Sequence, residues 1–591
     1  MAINSYKEDE QTSNISRKNV FLRLFRYLLD YKKTVLLVLF IMLICISLSI
    51  INPLLIESAV DNYIRPKDTT GLIRLCLFAF ALNLILIALV KVRMFLMAKV
   101  SNKILLTIRQ ELYTHIQSLS FEFFDSRPTG KILARIIGDV NSLRSVLENT
   151  VTTLIPDFLT ILTVIIIMMV KNWKLALAAL SSLPLMIVCI WCIQIFSHKR
   201  WQIYRKKNSN VNAFVHENLS GIRVIQSFSA EEESNEMFAT LVEEHRGAFV
   251  NAVRLSDTFG PCIDLCWGLG TMMLYFVGIK VLGVESVSVG TYLAFATYIS
   301  MFWSPVMNLS NYYNQLITNL SGAERIFEIL DTEPTITENE ASITDVTLQG
   351  EITFEHVSFA YDKETKVLDD LSFHVKPGET IALVGPTGAG KTTIVNLISR
   401  FYDLQKGNIL IDGYKINDLS LETLRSQMGV MTQDSYIFTG TIKDNIRYGK
   451  LDATDEEVIA AAKAVHAHDF IITLEDGYDT KLEERGGGLS AGQQQLLALA
   501  RTMVSKPTIL ILDEATSSID TKTELLVQEG IEALLQGRTS FVIAHRLSTI
   551  QRADRIFVID QGGIIEQGSQ NELLLKHGFY YDLYMAQFAG V

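Results

Sequence analysis

Cysteine, proline and net positive charge are the scarce features of this sequence, and each shortage narrows what the chain can be. Only 6 of 591 residues are cysteine, at positions 45, 76, 189, 192, 262 and 266, and every one falls inside a long apolar stretch. That placement argues against a disulfide scaffold and for burial as small apolar side chains; the redox-like Cys189–Cys192 spacing and the shared helical face of Cys262 and Cys266 do not outweigh it. Eleven prolines, with no low-complexity run, argue against large disordered regions. Lysine and arginine total 53 against 64 acidic residues, a net charge of −11, so a nucleic-acid partner held by a basic surface is disfavoured. Charged residues make up 20% of the chain and hydrophobic ones 49%. A soluble chain of this length would be hard to keep in solution at that ratio, so a membrane part is expected. One compact core is also excluded, because single domains rarely exceed about 250 to 300 residues.

What is present is unevenly distributed. Apolar runs near 34–58, 72–97, 149–170, 173–196, 259–282 and 287–311 are each long enough to cross a bilayer, which takes about 17 to 25 residues. Six membrane helices are therefore expected. Residues 1–20 are polar and the first apolar run lacks a small-residue cleavage pattern, so no removable signal peptide is expected. Ahead of the first run, 17–33 places Leu22, Phe25, Leu28 and Leu29 on one face among Arg and Lys, as an interfacial elbow helix would. The segments 98–148 and 197–257 are rich in Lys and Arg, whereas the connections at 59–71, 171–172 and 283–286 are short. Both termini and the long segments are thus expected in the cytoplasm, against the weak counter-signal of Arg65, Lys67 and Lys171. The long segments read as helical, so the membrane helices are expected to continue well beyond the bilayer. After Leu320 the pattern changes, and from Ile352 strand-like and helical stretches alternate with glycine punctuation. The expected layout is a cytoplasmic N-terminus and elbow helix (1–33), a six-helix α-helical transmembrane domain with long cytoplasmic extensions (34–320), a linker (321–351) and an α/β domain (352–585).

Within the last domain, the buried-strand sequence of residues 381–384 runs into Gly385, Pro386, Thr387, Gly388, Ala389, Gly390, Lys391, Thr392 and Thr393, followed by a helical stretch. This is a phosphate-binding loop. Its glycines let backbone N–H groups face the phosphates, the helix N-terminus adds positive potential, Lys391 reaches the β/γ oxygens and Thr392 can ligate Mg²⁺. A second apolar strand, 508–512, ends in Asp513 and Glu514. A strand-end acid beside such a loop can hold Mg²⁺ through water, and the next carboxylate can polarise the attacking water.

Further motifs, in order, resemble those of the ATP-binding cassette (ABC) transporter family. Leu489-Ser490-Ala491-Gly492-Gln493 resembles the family signature LSGGQ and follows Glu484-Arg485-Gly486, similar to its X-loop. Gln433 sits where the Q-loop glutamine belongs, His545 matches the switch histidine, Asp520 lies in a D-loop-like Ser518-Ile519-Asp520, and Tyr361 lies where the family stacks an aromatic under adenine. The resemblance spans nearly the whole chain. Phe123, Phe124, Asp125, Ser126 and the residues after them resemble the first intracellular region of exporter-type members, and Glu217-Asn218-Leu219-Ser220-Gly221 the second.

The resemblance implies a half-transporter: two chains pair and two ATP molecules lie between the cassettes, each held by the phosphate loop, Asp513 and Glu514 of one chain and the signature (Ser490, Ala491, Gly492, Gln493) of the other. It also implies Glu514 as base, helped by His545 and Gln433, with Mg²⁺ held by Thr392, Gln433 and Asp513. Short coupling helices around Phe124, Asp125 and Ser126 and around Asn218, Leu219 and Gly221 would dock on the cassettes. One departure matters: position 491 is Ala rather than Gly, and Gln494 and Leu496 stand where many members carry Arg or Lys. Ala491 adds a methyl near where the partner's phosphate would sit, and an altered signature beside a retained Glu514 resembles members that work as heterodimers, which implies a heterodimer, one competent site and one degenerate, over a homodimer.

For substrate, Asp157 and Asp264 lie within expected spans, where charges are costly and commonly face a cavity or a partner. They could attract cationic amphiphiles, with pairing to Lys91, Arg93 or another helix the alternative. The expected function is ATP-driven export of hydrophobic or amphipathic compounds, multidrug-type, in a bacterial plasma membrane. Alternatives are a lipid flippase of the same architecture and an ATP-gated channel or regulatory subunit that transports nothing.

Overall fold

A computed structural model describes residues 17–588 apart from 284–286, 339–340, 362–364, 433–434, 514–520 and 544–546. It divides into two compact units. One comprises residues up to Gln117 together with Thr129–Thr332; the other joins Glu333 onward with Ser118–Pro128, a short piece from the middle of the helical half.

The first unit is helical. Among the described residues, four runs are long and apolar enough to cross a membrane: Lys32–Ile64, Thr69–Ser118, Thr129–Leu180 and Glu231–Leu282. The helix Thr69–Ser118 has 50 residues, hence a length of about 75 Å at 1.5 Å per residue against a hydrocarbon thickness of about 30 Å. Such a helix must extend far beyond the bilayer. The count of four differs from the expected six for local reasons. Asn172 has non-helical backbone (φ −157°, ψ 101°) inside Ile155–Leu180, so that helix carries the third expected span and the start of the fourth. The fourth run is then interrupted at Ser181–Ser182 before the helix Leu183–Ser220 opens with Pro184 in its first turn, where a missing N–H costs least. The sixth expected run lies in Val289–Leu330.

This unit is held by an apolar cluster that includes Met42, Val164, Met168, Ala179, Cys266, Phe295 and Tyr298. Polar side chains add specific links. Arg325 donates to both oxygens of Asp139 at 2.6 and 2.8 Å, a bidentate pairing that fixes orientation as well as distance. The N-terminal helix Arg17–Leu29 buries Val20, Leu24 and Leu28, spaced by four, while Leu22 and Leu29 are exposed. Of the apolar residues expected on one face, Leu28 is covered by the protein and Leu22 and Leu29 are left open.

The second unit contains two main sheets. A six-stranded sheet runs in the order Gly563–Gly568, Arg555–Asp560, Thr380–Val384, Thr539–Ile543, Ile509–Asp513, Met428–Met431, parallel except for its first strand. Thr539–Ile543 is buried throughout and Thr380–Val384 at all but its first residue, as in a parallel sheet covered on both faces. A mainly antiparallel sheet joins Lys366–Val375, Ile352–Ala360, Lys406–Ile411 and Tyr414–Lys415. Between the sheets lies a core that includes Phe354, Phe373, Phe541 and Phe557.

Gly449 marks one of the tightest backbone approaches. A Cβ there would lie 1.9 Å from the carbonyl oxygen of Arg501, whose guanidinium bonds Tyr436 O, Asn445 O and Asn445 Oδ1 at 2.7 to 2.9 Å. Gly449→Ala is expected to destabilise this unit by about 3 kcal/mol or more, because overpacked backbone cannot yield as a side chain can. Thermal unfolding of the variant should show a transition several degrees lower; an unchanged transition would mean the carbonyl moves freely.

Candidate functional site: a phosphate loop at the end of a parallel sheet

The C-terminal ends of the parallel strands converge where open α/β sheets hold their ligands. The strands ending at Val384 and Asp513 flank Thr539–Ile543, and Ile543 stands in register with both Leu383 and Asp513. That order, not closeness in sequence, brings Asp513 to the loop.

Gly385 has φ +155°, and a Cβ on it would meet Ile559 O at 2.1 Å. Gly390, at φ +106°, is the residue before the helix Lys391–Ile398; a Cβ there would press on Leu368 at 2.8 Å. Both positions therefore require glycine. Lys391 is 8% exposed and its Nζ donates to Gly385 O at 2.7 Å and Pro386 O at 2.9 Å, closing the loop over itself. Burial holds its pKa below the usual lysine value, an effect that the Asp513 carboxylate only partly offsets. Thr392 is exposed at the helix start, while Thr393 is buried with its hydroxyl 3.1 Å from Tyr361 OH. Thr387 and Gly388 lie on the exposed lip of the loop and Ala389 is buried beneath it. Tyr361, at the end of the strand Ile352–Ala360, is 43% exposed and so keeps part of its ring open to a base.

The signature segment opens the helix Ala491–Val504. Ser490 and Gln493 form a capping box: Ser490 Oγ accepts from Gln493 N at 3.3 Å and Gln493 Oε1 accepts from Ser490 N at 2.9 Å. Because the serine oxygen accepts in the cap, its own hydrogen remains available to donate. Ala491 is the first helical residue and its methyl is exposed; Gly492 is buried. Gln494 donates to Gly486 O at 3.1 Å and Leu489 O at 3.2 Å, bracing the Glu484–Gly486 turn where Arg485 is left-handed at φ +58°. An uncharged amide suits a position facing two carbonyls.

Gln433, Glu514, Asp520 and His545 lie outside the described residues; the strands that lead to them end at Met431, Asp513 and Ile543. The two loop regions part company. Phe124, Asp125 and Ser126 belong to the unit of the phosphate loop, with Asp125 accepting a hydrogen bond from Tyr402 OH. Asn218, Leu219 and Gly221 belong to the helical unit: Asn218 bonds Phe214 O and Ser234, and Gly221 separates two helices. Asp157 is half-buried near Arg93 and Asn308, whereas Asp264, on another helix, is exposed. Tyr402 was not legible as a site residue, since its partners are far away in sequence.

The ABC transporter transmembrane region family matches residues 35–306, and the ABC transporter family matches residues 368–517. The chain is 42% identical to the uncharacterized ABC transporter ATP-binding protein YknV of Bacillus subtilis, covering 96% of this chain and 94% of that one. It is 36% identical to an ATP-dependent lipid A-core flippase of Syntrophus aciditrophicus, covering 97% and 95%. A solved structure of a bacterial Atm1-family ABC exporter with ATP bound aligns with a TM-score of 0.78 and 29% identity, over 94% of this chain and 98% of that one. The chain belongs to the ABC transporter family, as a membrane region fused to an ATP-binding cassette. It is an exporter-type half-transporter of the cell membrane that couples ATP hydrolysis to export.

Proposed function

We propose that this half-transporter exports hydrophobic or amphipathic compounds, multidrug-type, across a bacterial plasma membrane by alternating access. The observation that carries the reading is the closed phosphate loop with Asp513 beside Lys391, in the same unit as a signature helix whose capped N-terminus is open. A helix start with uncommitted N–H groups and a donating Ser490 hydroxyl suits the γ-phosphate of a nucleotide held by a facing cassette. The apolar exposure of Leu219 (66%), Val224 (61%) and Phe228 (80%) around the short helix Ile222–Ser227 supports docking of that helix on a second chain.

In this scheme Glu514 acts as base on the attacking water, aided by His545 and Gln433, and Asp520 lies at the cassette interface. The residues fit a magnesium ion: Thr392 is exposed at the helix start and Asp513 ends the neighbouring strand. Thr392, Asp513 and Gln433 would hold it, and when bound it neutralises charge on the β and γ phosphates. ATP binds the closed pair more tightly than the open one, so it shifts the membrane halves from inward to outward opening. Six spans with both termini in the cytoplasm, in domains bounded near 34–320 and 352–585, complete the proposed layout. Asp157 and Asp264 are the candidate attractors for cationic amphiphiles. The altered signature at Ala491 beside a retained Glu514 supports a heterodimer over a homodimer. A second reading, lipid translocation, is favoured by the flippase relative.

The test is ATP turnover by this chain alone in lipid. Substantial turnover would make the homodimer functional and Ala491 tolerated; ATP binding without turnover is the expected result for a chain that needs a second half-transporter.

A further inference from the structure

We propose that Tyr402 is the positioning residue that ties Asp125 of the first intracellular loop to the adenine-stacking ring of Tyr361, so that the loop registers whether a nucleotide is seated. The inference rests on the adenine role assigned above to Tyr361. Its basis is a continuous set of contacts within one compact unit. Tyr402 OH donates to the Asp125 carboxylate, 277 residues away in sequence. The Tyr402 ring meets Tyr361 edge-on, centroids 5.0 Å apart at 85°, and both rings touch Phe359, which the sheet holds from beneath at 5.0 and 5.7 Å. Tyr361 OH in turn lies 3.1 Å from Thr393 Oγ1 and accepts from Asn396 Nδ2 at 3.4 Å, both on the phosphate-loop helix. One end of this set is therefore the coupling segment, and the other end is the nucleotide cradle.

The backbone presents Tyr402 rigidly. The phosphate-loop helix ends at Ile398, and Arg400 follows in the left-handed region at φ +48° with 2% exposure. Its guanidinium donates to the carbonyls of Thr337, Ile416 and Leu419, which locks the turn that delivers Phe401 and Tyr402. Phe401 packs on Phe121 at 4.2 Å, and Ser120 Oγ accepts from Thr335 N at 2.9 Å, so the loop is also gripped four to five residues ahead of Asp125. A phenylalanine at 402 would serve the packing equally well. The hydroxyl is what reaches Asp125, and burial followed by that carboxylate pushes the Tyr402 pKa up, keeping the phenol protonated as a donor. Because aromatic contacts prefer particular edge and face angles, a base stacking on Tyr361 biases the tilt of Tyr402 and hence the anchorage of Asp125.

The experiment uses the full-length chain in lipid nanodiscs, with ATP and magnesium as the probe. Hydrogen exchange is followed in the peptide covering Ser118–Pro128 and in the phosphate-loop peptide, alongside equilibrium ATP affinity. In the unmodified chain ATP should alter exchange in both peptides. Tyr402→Phe and Asp125→Asn should each reduce the loop response about fivefold or more, leaving ATP affinity within about twofold and the phosphate-loop response in place. The double variant should lose no more than either single one, the signature of a shared contact. An unchanged loop response in either single variant, additive losses in the double variant, or no ATP response in the unmodified loop would overturn the proposal. Tyr361→Ala separates the two readings: unchanged ATP affinity there removes the adenine role alone, whereas an unchanged response in Tyr402→Phe removes the coupling alone.

Discussion

Replacing Glu514 by glutamine is expected to slow ATP turnover by at least about 10²-fold while ATP still binds. The strand Ile509–Asp513 is buried over its first four residues and delivers Asp513 beside Lys391, and Glu514 is the next residue in the sequence. Glutamine keeps the size and hydrogen-bonding capacity of that side chain but cannot take a proton from the attacking water. A loss of 10²-fold corresponds to about 2.7 kcal/mol of transition-state stabilisation. The comparison needs both turnover and equilibrium ATP binding on the same preparation, with the partner half present if the chain alone is silent. Turnover within a few-fold of the parent would remove Glu514 from the base role and shift attention to His545.

The second large effect concerns Lys391. Lys391→Ala is expected to weaken ATP binding about 10²-fold, close to 2.7 kcal/mol at 25 °C. Its ammonium group donates to Gly385 O and Pro386 O, so it is held inside the loop and loses little freedom when phosphate oxygens replace those carbonyls. Burial makes the replacement favourable: a charge that is 8% exposed gains more from a phosphate than a solvated one would. Arginine should not rescue, because its planar fork cannot fit a pocket shaped for a point charge. Lys391→Met, which keeps the stem, separates charge from packing; if it binds ATP like the parent, the ammonium group is not what holds the phosphates.

Much of the site was readable from residue order because its parts are local. A strand, a glycine-rich turn and a helix start occupy 381–393 without interruption, and φ values of +155° at Gly385 and +106° at Gly390 are what such a turn demands. The Ser490–Gln493 capping box is equally local, spanning one helical turn. Other features were not readable. Which apolar residues of the first helix the protein itself covers was one of them: Val20, Leu24 and Leu28 are buried and Leu22 and Leu29 exposed, and amphipathic spacing states that a face exists, not which side a neighbour covers. The expected fourth span, 173–196, is divided because Ser181–Ser182 interrupt a run whose composition is continuous, whereas the break at Asn172 falls in the short connection expected at 171–172.

By itself, the sequence determined that this protein has an apolar helical half and a phosphate-binding α/β half, because hydropathy and turn chemistry are properties of neighbouring residues. Only the tertiary structure decided that Asp513 stands one strand removed from the phosphate-loop strand, through register with Ile543. It alone decided that Ser118–Pro128 packs with the ATPase half and that Asp125 meets Tyr402. The physical reason is the same in each case: strand order and long-range hydrogen bonds are selected by the packing of whole elements, and no local pattern encodes which distant partner a polar group will find.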